Sequence, residues 1–248
     1  MKPTTYTNDQ DLVLTYKYPW NKITIGIVII FICAVIGVAI GSVYIPVTSV
    51  FLILFSKLNL FNESTELTPA WHTIIWNIRL PRVVLALLVG ASLGISGATY
   101  QGLFKNPLAD PYLIGVASGA SLGATIVFLS GIPFTYGYFS LLPVASFCGG
   151  IIAVFIAYLI SIKSGNTHLS TLLLAGLAIG AFATAITGIL MLRSDPDLRP
   201  LLSWLMGGFI RAQWSHSILI MPYMIIGVSF ILGYSRILNT MQLEGYYA

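Results

Sequence analysis

The chain has 248 residues, 57% of them hydrophobic and only 8% charged, against roughly a quarter charged in an ordinary soluble domain. So few charges cannot build a water-facing surface, and a mean hydropathy of +0.89 points to solvation by lipid. The net charge of +4 comes from side chains scattered singly; they form no basic stripe, which excludes nucleic acid as the partner.

Residues 1–22, MKPTTYTNDQDLVLTYKYPWNK, are polar for too long to be the n-region of a cleaved signal peptide, so the first apolar run is expected to stay attached. A membrane-crossing helix needs about 20 mostly apolar residues. Six runs approach that length: Ile23 to Ile45, Val83 to Tyr100, Tyr112 to Ser130, Leu141 to Ile162, Leu172 to Leu192, and Ile218 to Leu238. Backbone polar groups in lipid must be satisfied internally, so the expected fold is all-α, a polytopic bundle of at least six transmembrane helices. A barrel would need strands alternating between polar and apolar residues. The segments Val50 to Phe61 and Leu201 to Trp214 are too short to cross and are expected to be interfacial or re-entrant.

Between the second and third runs, residues 102–111 carry Lys105, Asp110, Pro107 and Pro111. The prolines stop helices on either side, which predicts a turn at one membrane face. Small residues recur at helical spacing: Gly37 with Gly41, Gly90 with Gly94 and then Gly97, the trio Gly115, Gly119 and Gly123, and Gly176 with Gly180. Such faces let helix backbones approach closely, so these glycines are expected at helix contacts. Cys33 and Cys148 lie inside apolar runs without metal-ligand spacing and are expected to be packing residues. No metal or cofactor site is expected. With the N-terminus inside, six cations fall on each face, so the positive-inside rule gives no orientation.

Two stretches are more specific than composition. The first, Trp76 to Ala124, holds Arg79-Pro81-Arg82, then Gly90, Leu93, Ser96, Gly97 and Gln101, then Asn106-Pro107-Leu108-Ala109 with Pro111. The second is HLSTLLLAGLAIG, His168 to Gly180, followed by LSWLMGGFIRAQW and RILNTMQLEG. In order and spacing they resemble the FecCD-type permeases of ABC importers for iron chelates, haem and cobalamin, from Ile23 to about Ala248. The resemblance implies a ten-helix fold of which this chain would carry the first six, as one permease domain over 1–248 in a bacterial inner membrane. It also implies a cytoplasmic tail at 1–22 and the start of an ATPase-coupling region at 239–248.

It further implies that Arg79 and Arg82 lie at the outer face and meet acidic residues of a substrate-binding protein, a pairing that suits planar guanidinium groups; anchoring in phospholipid headgroups is the alternative. The turn holding Asn106, Pro107, Asp110 and Pro111 would face the cytoplasm near the ATPase. Ser170 and Thr171, beside His168, would lie at an inner gate or simply cap a helix. Leu243, Glu244 and Gly245 fall where relatives couple to the ATPase. Gln101 is expected to hydrogen-bond between helices or to line the pathway. The implied partners are a second permease copy, ABC ATPase subunits, a binding protein and the bilayer.

No G-x-x-x-x-G-K-[ST] pattern occurs in the chain, so ATP hydrolysis would belong to a separate subunit. Iron-siderophore is the expected substrate class, and a truncated, non-transporting fragment is the alternative. A more remote reading is an intramembrane serine protease using Ser118 or Ser121 with His168 or His216. It requires nucleophile and base within hydrogen-bond reach.

Overall fold

The computed structural model describes residues 19–56, 69–132, 135–136, 139–163, 169–193 and 199–243. It falls into two compact units, residues 1–79 and 80–248. In the first, α1 (Trp20–Ala39) and α2 (Val47–Ser56) are followed by α3 (Pro69–Thr73), which continues as a π-helical segment, Ile74–Arg79. The second holds α4 (Leu80–Phe104), a 3-10 turn (Pro111–Ile114), α5 (Val116–Leu129), α6 (Leu141–Lys163), α7 (Leu169–Leu192), α8 (Arg199–Leu205) and α9 (Trp214–Leu243). A two-residue strand pair, β1 (Thr135–Tyr136) with β2 (Phe139–Ser140), joins α5 to α6.

Among the described residues, five helical stretches are long and apolar enough to cross a membrane: Trp20–Ala39, Pro69–Phe104, Leu141–Lys163, Ser170–Leu192 and Trp214–Met241. The third expected span is divided. Gly115 takes a left-handed φ of 83° between the 3-10 turn and α5, leaving α5 only 14 residues long. The first expected span also ends early, because Ile40 is already extended after Ala39. Gly41 therefore lies beyond the helix rather than one turn after Gly37 on its face. The helical run from Pro69 contains both Arg79 and Arg82, which the sequence places ahead of the second span. α2 and α8 are both shorter than a crossing, as expected of their segments.

The core of the second unit is the packing of α5, α6 and α7 on one another, with α4 paired to α9. Glycine permits the closest approaches. A Cβ at Gly119 would lie 2.5 Å from both the Gly149 carbonyl oxygen and the Ala153 Cβ, and one at Gly176 would lie 2.6 Å from the Ile114 Cα. A Cβ at Gly123 or Gly149 would come closer than 3.0 Å to backbone atoms of the facing helix. Gly115 and Gly180 face each other where the 3-10 turn meets α7. Gly90, Gly94 and Gly97 meet nothing within 4 Å. Cys33 and Cys148 are exposed rather than packed inside, as a small apolar thiol on a lipid-facing surface can be.

Most helix hydroxyls are satisfied locally, the buried Ser217 Oγ of α9 being an exception without a partner among the described residues. Ser92, Thr99, Ser121, Thr125, Ser146, Thr184 and Thr187 each donate to the carbonyl four residues earlier, at 2.8–2.9 Å. That return bond removes the cost of carrying a hydroxyl into an apolar medium.

Candidate functional site

Two of the residue groups expected from the sequence, Arg82 and the Asn106–Pro111 turn, lie at opposite ends of α4. From Arg82 to Phe104 the helix rises about 33 Å at 1.5 Å per residue, close to the ~30 Å of a hydrocarbon core.

At the first end, Arg82 is half-buried, and its Nη2 donates to the Ile210 carbonyl at 2.7 Å. That carbonyl belongs to the turn between α8 and α9, where Gly207 and Gly208 take φ of 72° and 133°. Left-handed values of this kind are cheap for glycine alone, so the pair at 207–208 is what brings the turn round to Arg82. Met206 and Ile210 on the same turn are more than four-fifths exposed. Arg79, expected to act beside Arg82, is 6% exposed and spends its guanidinium on backbone carbonyls of its own unit.

At the far end, Asn106 Oδ1 accepts from the Leu108 N–H at 2.9 Å and Asp110 Oδ1 from the Tyr112 N–H at 2.8 Å. Short polar side chains that bond the backbone two residues on make consecutive tight turns. Lys105, at φ 50°, starts the reversal, and Pro111 opens the 3-10 turn that Asp110 caps. Ala109 is buried with Phe104 and Ile114 in a cluster packed by Tyr100, Leu103, Val154, Leu172 and Leu173. The turn is thereby pinned to α6 and α7 while Leu108 and Tyr112 stay exposed, at 82% and 70%. A cleft of about 560 Å³ runs beside it, with Gly97, Gln101, Pro107, Asp110 and Pro111 in its lining.

Ser170 is exposed and Thr171 half-buried in the first turn of α7; His168 lies outside the described residues. α9 runs to Leu243, and Glu244 and Gly245 lie outside the described residues. Ser118 Oγ donates to the Gly115 carbonyl and Ser121 Oγ to that of Ala117, while His216 Nδ1 accepts from the Gln213 N–H. Among the described residues, no three of His, Cys, Asp or Glu lie close enough together to hold a metal ion.

Two contributions are absent from the sequence reading. Gly149 faces Gly119 and Gly123; its four-residue stripe, Ala145, Gly149, Ala153 and Ala157, is made mostly of alanines, so a search for paired glycines passes over it although any small residue serves. The cluster of carbonyls around Arg79 comes from backbone groups, which no side-chain pattern reports.

Residues 27–248 match the model of the FecCD transport family. The chain is 36% identical over 220 residues to an uncharacterized ABC transporter permease protein, YvrB, of Bacillus subtilis, a match covering 88% of this chain and 62% of that protein. It is 43% identical over 192 residues to the hemin transport system permease protein HmuU of Yersinia pestis, covering 74% and 55% respectively. Its fold is like that of a solved structure described as an inward-facing conformation of a metal-chelate type ABC transporter. The TM-score is 0.71 at 30% identity, covering 92% of this chain and 67% of that one. The chain thus spans a little over half the length of these curated relatives. Its apolar helices are those of a multi-pass protein of the cell membrane. From the match along 27–248, and from motifs that the structure sets at the two ends of one helix, the chain belongs to the FecCD transport family.

Proposed function

We propose that this chain is the permease subunit of an ABC importer, passing an iron-siderophore or related metal chelate from an outer binding protein towards the cytoplasm. The observation that carries this reading is the family match combined with the separation of two differently built surfaces by the length of α4. The hemin relative and the metal-chelate neighbour support the substrate class.

In this reading the Arg82 end faces outward. Its guanidinium, half-buried and held by the Ile210 carbonyl, is pre-oriented to meet a carboxylate of the binding protein, and planar donors make such pairs specific. The Asn106–Pro111 turn faces the cytoplasm close to an ATPase subunit. Ser170 and Thr171 stand at an inner gate, and the region from Leu243 through Glu244 and Gly245 takes part in coupling. Two permease copies form the path, and a separate ATPase supplies the work. Alternating access then moves substrate without covalent chemistry on this chain.

The test is uptake of radiolabelled ferric siderophore, haem and cobalamin by cells expressing the chain with the binding protein and ATPase of its own operon. Uptake of the ferric chelate that stops when the ATPase is inactivated supports the reading. Uptake of cobalamin alone reassigns the substrate. Absence of all uptake, with the ATPase and binding protein still co-purifying, favours a subunit that docks without transporting.

A further inference from the structure

The apolar run that forms α1 extends to Ile45, and the first proline it meets is Pro46. The helix nevertheless stops at Ala39, six residues short. Its end coincides with the Arg79 guanidinium. Nη1 donates to the Val38 carbonyl at 2.8 Å and to the Ala39 carbonyl at 2.6 Å, and Nη2 donates to the Val43 carbonyl. Val38, Ala39 and Arg79 are all buried.

The last four carbonyls of a helix have no partner within it and carry the negative end of its dipole. Buried as they are here, such groups cannot turn to water, and a cation supplied by the chain satisfies them instead. A planar guanidinium offers several donors in a fixed fork, so it can hold carbonyls from the helix and from the following bend at once; an ammonium cannot match that geometry. The space it fills is shaped for it. A Cβ on Gly41 would stand 2.7 Å from Nη2 and 2.9 Å from Cζ. The end of an arginine would ordinarily swing aside, but here that would break the bonds to the carbonyls.

We propose that the carbonyls of Val38, Ala39 and Val43 form a guanidinium-binding cradle, and that Arg79 seated in it is the cap that ends α1 and sets the bend into α2. Arg79 is then a positioning residue committed to its own unit, and Gly41 is the residue that leaves room for it. Arg79 is the last residue of the π-helical segment Ile74–Arg79, and such segments are frequent at functional positions.

The experiment is hydrogen exchange on the full chain in lipid nanodiscs, followed over peptides covering residues 36–45. Arg79→Ala is expected to speed exchange there by about tenfold or more through local opening of the helix end. Millimolar methylguanidinium should restore much of the protection, and methylammonium at equal concentration should not. Gly41→Ala should reproduce the loss, and Arg79→Ala combined with Gly41→Ala should be no worse than Arg79→Ala alone, because both act through one cradle. Unchanged exchange in Arg79→Ala overturns the proposal, as does equal rescue by the two cations or additive losses in the double variant. If Arg79→Ala does not accumulate in membranes, Gly41→Ala decides: lost protection over 36–45 supports the cradle, and retained protection overturns it.

Discussion

At the scale of the residue, identical amino acids have opposite value according to what faces them. Gly149 lies against the backbone of α5, so a methyl group there must push two helices apart. Gly149→Ala is expected to destabilise the detergent-solubilised chain by about 1–3 kcal/mol, the usual range for overpacking. Gly94 meets nothing within 4 Å, and alanine suits a helix better by roughly 1 kcal/mol. Gly94→Ala should therefore leave the melting temperature unchanged or raise it, and thermal unfolding of both variants side by side checks the contrast. Arg82 and Arg79 differ in the same way. Arg82→Glu is expected to weaken capture of the binding protein by about tenfold or more at low salt, since it sets a like charge against a carboxylate. Membrane insertion should persist, which a pull-down with a membrane-fraction control would show. The motif Arg79-Leu80-Pro81-Arg82 is plain in the sequence. That Arg79 is buried on carbonyls and Arg82 only half-buried is not, because the first depends on where α1 ends and the second on the turn between α8 and α9.

Individual elements were legible in kind and less so in extent. Length and apolar content mark α6 to within a residue at either end, and α7 at its end, its start lying three residues before the expected Leu172. The end of α1 was misread because nothing local stops the helix; a side chain 40 residues away accepts that role. The expected third span conceals the left-handed Gly115, which lies against Gly176 and Gly180 of α7. By contrast, the Asn106–Pro111 turn follows from local chemistry and was readable directly. Its two Asx side chains and its prolines specify the reversal through bonds within the turn itself. Asp110→Ala removes the bond to the Tyr112 N–H and should cost about 1 kcal/mol, as loss of a cap does. Chemical denaturation in mild detergent would measure it, and Asp110→Asn, which keeps an acceptor, should recover most of the loss.

At the scale of the whole molecule, the proposed function requires α4 to hold two unlike surfaces on opposite sides of a bilayer. One is the Arg82 end with its glycine-rich turn, the other the Asn106–Pro111 turn pinned by Ala109. An importer needs that separation, because its binding protein and its ATPase never share a compartment. Ile210 and Leu108, each 82% exposed, mark the two ends. The measurement is labelling of Ile210→Cys and Leu108→Cys by a membrane-impermeant maleimide, in a background where Cys33 and Cys148 are serine. Ile210→Cys should label in intact cells, and Leu108→Cys only after the membrane is opened. Labelling of both from the same side would contradict the account.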